Sequence, residues 1–144
     1  MTLAERLIRL HEGLRLQPYL DTAEPPRQSI GYGRNLTDRG ISHDEAEYLL
    51  HNDLAATERE LAAALPWVSR LDAARYAVLV DMGYNLGIPK LLTFRRTLAA
   101  VEQGDYASAA GLMLQSKWAR QVRVRALRLA RMMATGLVPP EVAV

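Results

Sequence analysis

The sequence of 144 residues contains no cysteine, which removes disulfide frameworks, thiolate nucleophiles and sulfur ligands at once. Its three histidines, His11, His43 and His51, share no ligand-like spacing, so no metal site is assigned and no cofactor is implied. No apolar run reaches the roughly 18 residues that a membrane span needs. The opening Met1-Thr2-Leu3-Ala4-Glu5-Arg6 lacks the apolar stretch of a secretion signal. The expectation is a protein held in a cytoplasm until something else releases it. Internal repeats and low-complexity linkers are also missing. With 49% apolar residues the chain is too hydrophobic for disorder, and its length fits one domain held by packing alone.

Charge is unevenly spread. Residues 1–60 carry 7 Lys/Arg and 11 Asp/Glu, a balance of −4, whereas residues 61–144 carry 11 and 5, a balance of +6. The excess gathers at Lys117, Arg120, Arg123, Arg125, Arg128 and Arg131. Such a surface suits a polyanionic partner, whether cell wall, lipid head groups or nucleic acid, without choosing among them.

Helical signals dominate the chain. Thr2 and Glu5 form a capping-box pair ahead of Leu3, Leu7, Ile8 and Leu10, with Gly13 as the stop. Between Arg15 and Leu36, Pro18, Pro25, Pro26, Gly31 and Gly33 exclude a helix, and Ser29-Ile30-Gly31-Tyr32-Gly33 reads as a strand. Ser42 and Glu45 open a long helix to about Ala64, with Ala46, Leu49, Leu50, Leu54 and Leu61 at helical spacing. Later helices are expected from Ser69 toward Gly83 or Gly87, from Thr93 to Gly104, from Asp105 through Leu114, and from Val122 to Thr135. The class is therefore α+β, mostly α. A small β-containing lobe (about 13–60) and a helical lobe (about 61–144, plus helix 1–12) form a single domain, and a cleft is expected at their junction.

Glu12 falls in the last turn of the first helix, where the negative end of the helix dipole disfavours a charged carboxylate. Neighbouring Leu10 and Leu14 are expected to add desolvation. That suits a general acid, although a solvated helix-end glutamate has the same pattern. Asp21 can be a turn residue or the second carboxylate of a glycosidase pair. Ser29 can hold a water or simply occupy a strand. Taken singly, none of the three decides.

Read together they do. The stretch from Leu7 through Glu12-Gly13-Leu14-Arg15-Leu16 to Tyr19-Leu20-Asp21, followed by Ser29-Ile30-Gly31-Tyr32-Gly33, resembles the active-site signature of the phage lysozymes. The similarity continues through Arg34-Asn35-Leu36, Gly40-Ile41-Ser42, Asn85-Leu86-Gly87, Phe94-Arg95-Arg96 and Trp118-Ala119-Arg120-Gln121. The resemblance implies a lysozyme-like two-lobed fold with a small β-hairpin lobe, a long connecting helix and a helical lobe. It implies Glu12 as proton donor, Asp21 as charge stabiliser and water orienter, and Ser29 as the hydroxyl sharing that water. Arg15, Tyr32, Arg34 and Asn85 become candidates for substrate binding, and Tyr19 is expected to pack behind the site.

Two departures stand out. Ser29 replaces the family's threonine, and the eight positions from Asp21 to Ser29 exceed the family's usual spacing, which lengthens the hairpin tip. The implied activity is hydrolysis of the β-1,4 bond between N-acetylmuramic acid and N-acetylglucosamine of peptidoglycan by an endolysin, with inversion and holin-dependent release to the cell wall. Inversion places the two carboxyls on the order of 6.5–9.5 Å apart. A lytic transglycosylase and a decayed cell-wall or membrane binding module are the alternatives. Anionic outer-membrane or wall polymers are further partners for the basic C-terminal helix. Nucleic acid is not expected, and the protein is expected to be a monomer.

Overall fold

A computed structural model describes residues 1–142. Thr2 begins α1 (Leu3–Glu12) as the cap: its hydroxyl accepts from the Glu5 N–H at 3.1 Å, and the Glu5 carboxylate accepts from the Thr2 N–H. Two of the orphan N–H groups at the helix start are satisfied in this way. No residue of α1 is buried, and Leu3, Leu7, Ile8 and Leu10 are all exposed.

Three antiparallel strands follow in the order β1 (Arg15–Leu20), β2 (Gln28–Gly31) and β3 (Arg34–Asn35). Tyr19 lies opposite Ser29 and Leu20 opposite Gln28, and the register shifts between Arg15 and Tyr19. Pro18 falls inside that irregular stretch, where a missing N–H is tolerated. The strand expected at 29–33 stops at Gly31, because Tyr32 and Gly33 make the turn into β3 and Gly33 holds φ +77°.

The long helix α2 (His43–Ala64) starts with the expected second box, Glu45 N–H to Ser42 Oγ at 3.2 Å and Ser42 N–H to Glu45 Oε2 at 2.7 Å. Within α2 the chain divides into two compact units, Met1–Leu49 and the residues from Leu50 onward. The first unit therefore contains α1 together with the strands, whereas sequence alone groups helix 1–12 with the helical part. Its polar side chains explain the difference, since Arg9 and Glu12 both meet the Tyr32-Gly33 turn.

The second unit is all helical: α3 (Ala73–Leu86), α4 (Ile88–Leu91), α5 (Arg95–Glu102), α6 (Tyr106–Gln115), α7 (Lys117–Val122) and α8 (Val124–Thr135). Leu61, Leu79, Met82, Leu91, Met113 and Met133 are among its fully buried side chains. Its helix boundaries differ from expectation in three places. Ser69 belongs to a 3-10 turn (Pro66–Arg70), and Asp72 caps α3 by accepting from the Arg75 N–H. Thr93 donates its hydroxyl to Lys90 instead of capping, and the separate α4 precedes it. The helix expected from Val122 starts at Val124, because Val122 closes a separate, unexpected α7 that Arg123 ends with φ +48°.

Arg75 locks the end of α8. Its Nε donates to the Met133 carbonyl at 2.8 Å and Nη2 to Ala134 at 3.2 Å, Nη1 pairs with Asp72 at 2.8 Å, and the guanidinium stands 3.7 Å from the Tyr106 ring centroid. It satisfies carbonyls that a helix C-terminus leaves without partners and places a cation at the negative end of the dipole. Arg75→Ala removes all of this, so the second unit is expected to lose about 2–4 kcal/mol, measured by urea denaturation.

Candidate active site

Glu12 is the last residue of α1, exposed, and joined by no hydrogen bond or ion pair to another described residue. Its carboxylate lies against the turn after β2: a Cβ built on Gly33 would fall 2.9 Å from Glu12 Oε2 and 3.2 Å from Cδ. The close approach requires glycine, both for space and for the positive φ. The expected apolar cover is not there. Leu10 and Leu14 are both exposed, since the apolar stripe of so small a unit finds little to pack on. What shapes the surroundings of Glu12 is backbone.

Arg9, one helical turn earlier, was not recognisable from sequence as part of this arrangement. Its Nη1 donates to the Tyr32 hydroxyl at 2.6 Å, and its guanidinium sits 4.6 Å from the centre of the Tyr32 ring. Helix and turn are thus tied together one residue away from Gly33.

Asp21 follows β1 and is fixed by the backbone of the hairpin tip. Oδ1 accepts from the Arg27 N–H at 2.9 Å and the Ala23 N–H at 3.0 Å, while the Asp21 N–H donates to the Arg27 carbonyl at 2.9 Å. These N–H groups, Arg27 first, hold its carboxyl below the ordinary carboxylate value, so it is ionised in any neutral solution. Oδ2 takes no hydrogen bond from a described residue.

Ser29 is 3% exposed. Because Asp21 stands opposite Arg27 across the hairpin, Ser29 is its diagonal cross-strand neighbour, within about 8 Å by strand geometry. The Ser29 hydroxyl bonds to no described residue, which leaves it capacity for a water. The longer tip, with Pro25 and Pro26, leaves both anchors in place.

The other candidates have partners of their own. Arg34 presents a two-pronged pair to Glu45, Nη1 to Oε2 at 2.7 Å and Nη2 to Oε1 at 2.5 Å, and also donates to the Gly40 carbonyl at 3.2 Å. Arg15 stacks 4.4 Å from the Tyr19 ring centroid, and Tyr19 is half-buried. Asn85 lies on α3 of the second unit, where its Oδ1 accepts from Trp118 Nε1 at 2.8 Å. Tyr32 lines a groove of about 420 Å³ in the first unit, with Ile30, Asp44, Tyr48 and Leu49. Among the described residues no three His, Asp or Glu side chains come together as a metal site.

Glu45 carries the strongest electrostatic signature of the first unit. The Arg34 fork and then the Ser42 N–H pull its carboxyl down to about 2 from 4.5. Because the folded value is the lower one, the stabilisation is complete above about 4.5 and is lost as pH falls toward 2. A carboxyl carbon NMR titration is expected to place the Glu45 midpoint near 2, and Arg34→Met is expected to move it back up.

Comparison with known proteins adds three findings. The sequence model described as "Phage lysozyme" matches residues 9–133. The pre-baseplate central spike protein Gp5 of Enterobacteria phage T4 is 28% identical over 162 aligned positions, which cover 94% of this chain and 28% of that protein. A probable T4-type lysozyme 1 of Dictyostelium discoideum is 29% identical over 100 positions, 67% of this chain and 58% of the relative. The chain thus corresponds to between about a quarter and three fifths of these relatives' own length.

Proposed function

Because the chain belongs to the phage lysozyme family, we propose that it is a peptidoglycan-degrading glycosidase, an endolysin that hydrolyses the β-1,4 bond between N-acetylmuramic acid and N-acetylglucosamine. The observation that carries this reading is the contrast between two carboxylates of one unit. Asp21 is pinned through Oδ1 and kept ionised, while Glu12, at a helix C-terminus, has no described partner. In this reading the pinned, ionised Asp21 is the base and Glu12 is the acid.

In the proposed step Glu12 gives its proton to the glycosidic oxygen as the bond from that oxygen to C1 breaks. A water held between Asp21 and the Ser29 hydroxyl attacks C1 from the opposite face, and its proton passes to the Asp21 carboxylate. The anomeric centre is inverted. Arg9 and Arg34 are positioning residues in this scheme: one ties α1 to the Gly33 turn, the other ties the start of β3 to the start of α2. The groove beside Tyr32 and Tyr48 offers aromatic faces for a saccharide ring.

The test is digestion of purified peptidoglycan in water enriched in the heavy oxygen isotope, with products read by mass spectrometry. Hydrolysis puts one labelled oxygen on each new reducing end. Unlabelled anhydro-muramic ends would establish an intramolecular transfer instead and refute the water role of Asp21 and Ser29.

A further inference from the structure

From Tyr106 to Pro140 the chain holds six Lys or Arg residues and no Asp or Glu. Two of the six are used in ion pairs, Arg125 with Asp81 at 2.8 Å and Arg128 with Glu141 at 3.3 Å. Lys117, Arg120 and Arg123 are exposed and pair with no described acid, whereas Arg131, also exposed, shares the charge of Glu141 with Arg128. Three aliphatic side chains stand among them, Leu114 at 43% exposure, Val124 at 64% and Leu127 at 60%. With Arg120 and Arg123 they line a groove of about 360 Å³ at the end of α6 and along α7 and α8. Arg123 lines it from the strained backbone position that breaks the helix, and such positions gather where a side chain must be aimed.

The chemistry of this surface narrows its partner. Three unpaired cations call for anions, and the planar fork of arginine matches phosphate with two hydrogen bonds. A soluble polyanion would reward the cations and leave the leucines and valine in water. Single-stranded nucleic acid and glycan are gripped by aromatic faces, and the exposed apolar residues here are aliphatic. A second copy of the same face would set arginines against arginines. Aliphatic residues ringed by arginine fit the boundary layer of a lipid bilayer, where phosphates lie above acyl chains. Among the described residues no helix is long and apolar enough to cross a membrane, so the contact is with the surface.

We propose that this groove docks the protein on an anionic phospholipid surface, with Leu114, Val124 and Leu127 entering the headgroup boundary and Arg120 and Arg123 on lipid phosphates. The docking is independent of glycan cleavage, since none of these residues belongs to the Glu12 site.

Co-sedimentation with phosphatidylethanolamine–phosphatidylglycerol vesicles, and with phosphatidylcholine vesicles, tests it. The wild-type protein is expected to pellet with the first and not the second. Arg120→Gln and Arg123→Gln should each weaken binding about fivefold. Val124→Ser with Leu127→Ser should weaken it at least about tenfold. Both positions are exposed, so an unchanged melting curve is expected to accompany the loss. Equal binding to both vesicle types would overturn the proposal. So would a double serine variant that binds like wild type while the arginine variants fail, because that pattern belongs to a site for soluble polyanions.

Discussion

Replacing Glu12 by Gln is expected to lower kcat on peptidoglycan about a thousandfold, within the range general acid catalysis supplies, with KM nearly unchanged. Glutamine keeps the shape and the two polar atoms of the side chain but has no proton to give a leaving oxygen. The residue is exposed and bonded to no described neighbour, so the change removes no folded-state interaction. Stability should stay within about 0.5 kcal/mol, as for other exposed substitutions away from packed features. A fall in kcat at constant KM marks a group that acts in the transition state and contributes little to ground-state binding. If KM rose in proportion and kcat held, Glu12 would be a substrate-binding residue and the acid would lie elsewhere.

Gly33→Ala is the second large effect. Alanine at φ +77° is strained by about 1–2 kcal/mol, and its methyl would press on Glu12 Oε2 from 2.9 Å. Glu12 is exposed, so the carboxylate is free to swing away and the fold survives. A carboxylate displaced by about 1 Å is expected to cost about a hundredfold in kcat. Gly40→Ala provides the comparison. Gly40 holds φ +63° in the same unit with nothing within 4 Å of the added Cβ, so it shares the strain without the push on Glu12. Equal activity losses in the two variants would mean that strain alone, and not the placement of Glu12, is responsible.

Much of this arrangement is legible in the sequence because it is local. The boxes at Thr2–Glu5 and Ser42–Glu45 are spaced by helix geometry, and both form. Asp105 caps α6 for the same reason. The positions of Glu12, Asp21 and Ser29 follow from a pattern confined to one helix end and one hairpin. What sequence does not reveal depends on contacts between distant residues or on backbone torsions. Nothing at Arg9 announces a bond to Tyr32, and Arg34 reads as a free cation until Glu45 is placed beside it. Leu10 and Leu14 have the composition of a shield and yet face solvent. The break at Arg123 carries no glycine or proline to signal it, so the start of the final helix reads as Val122 and the short α7 before it goes unseen. Ser69 and Thr93 have cap chemistry, but each donates to a carbonyl three residues back, closing a tight turn instead.

The most direct measurement is the initial rate at which wild-type protein generates new reducing ends from purified, unmodified peptidoglycan at neutral pH. A steady release that accompanies clearing of the suspension is predicted, since Asp21 is ionised there. Clearing without new reducing ends, or no clearing at all by folded protein, would contradict glycan hydrolysis as the activity of this chain.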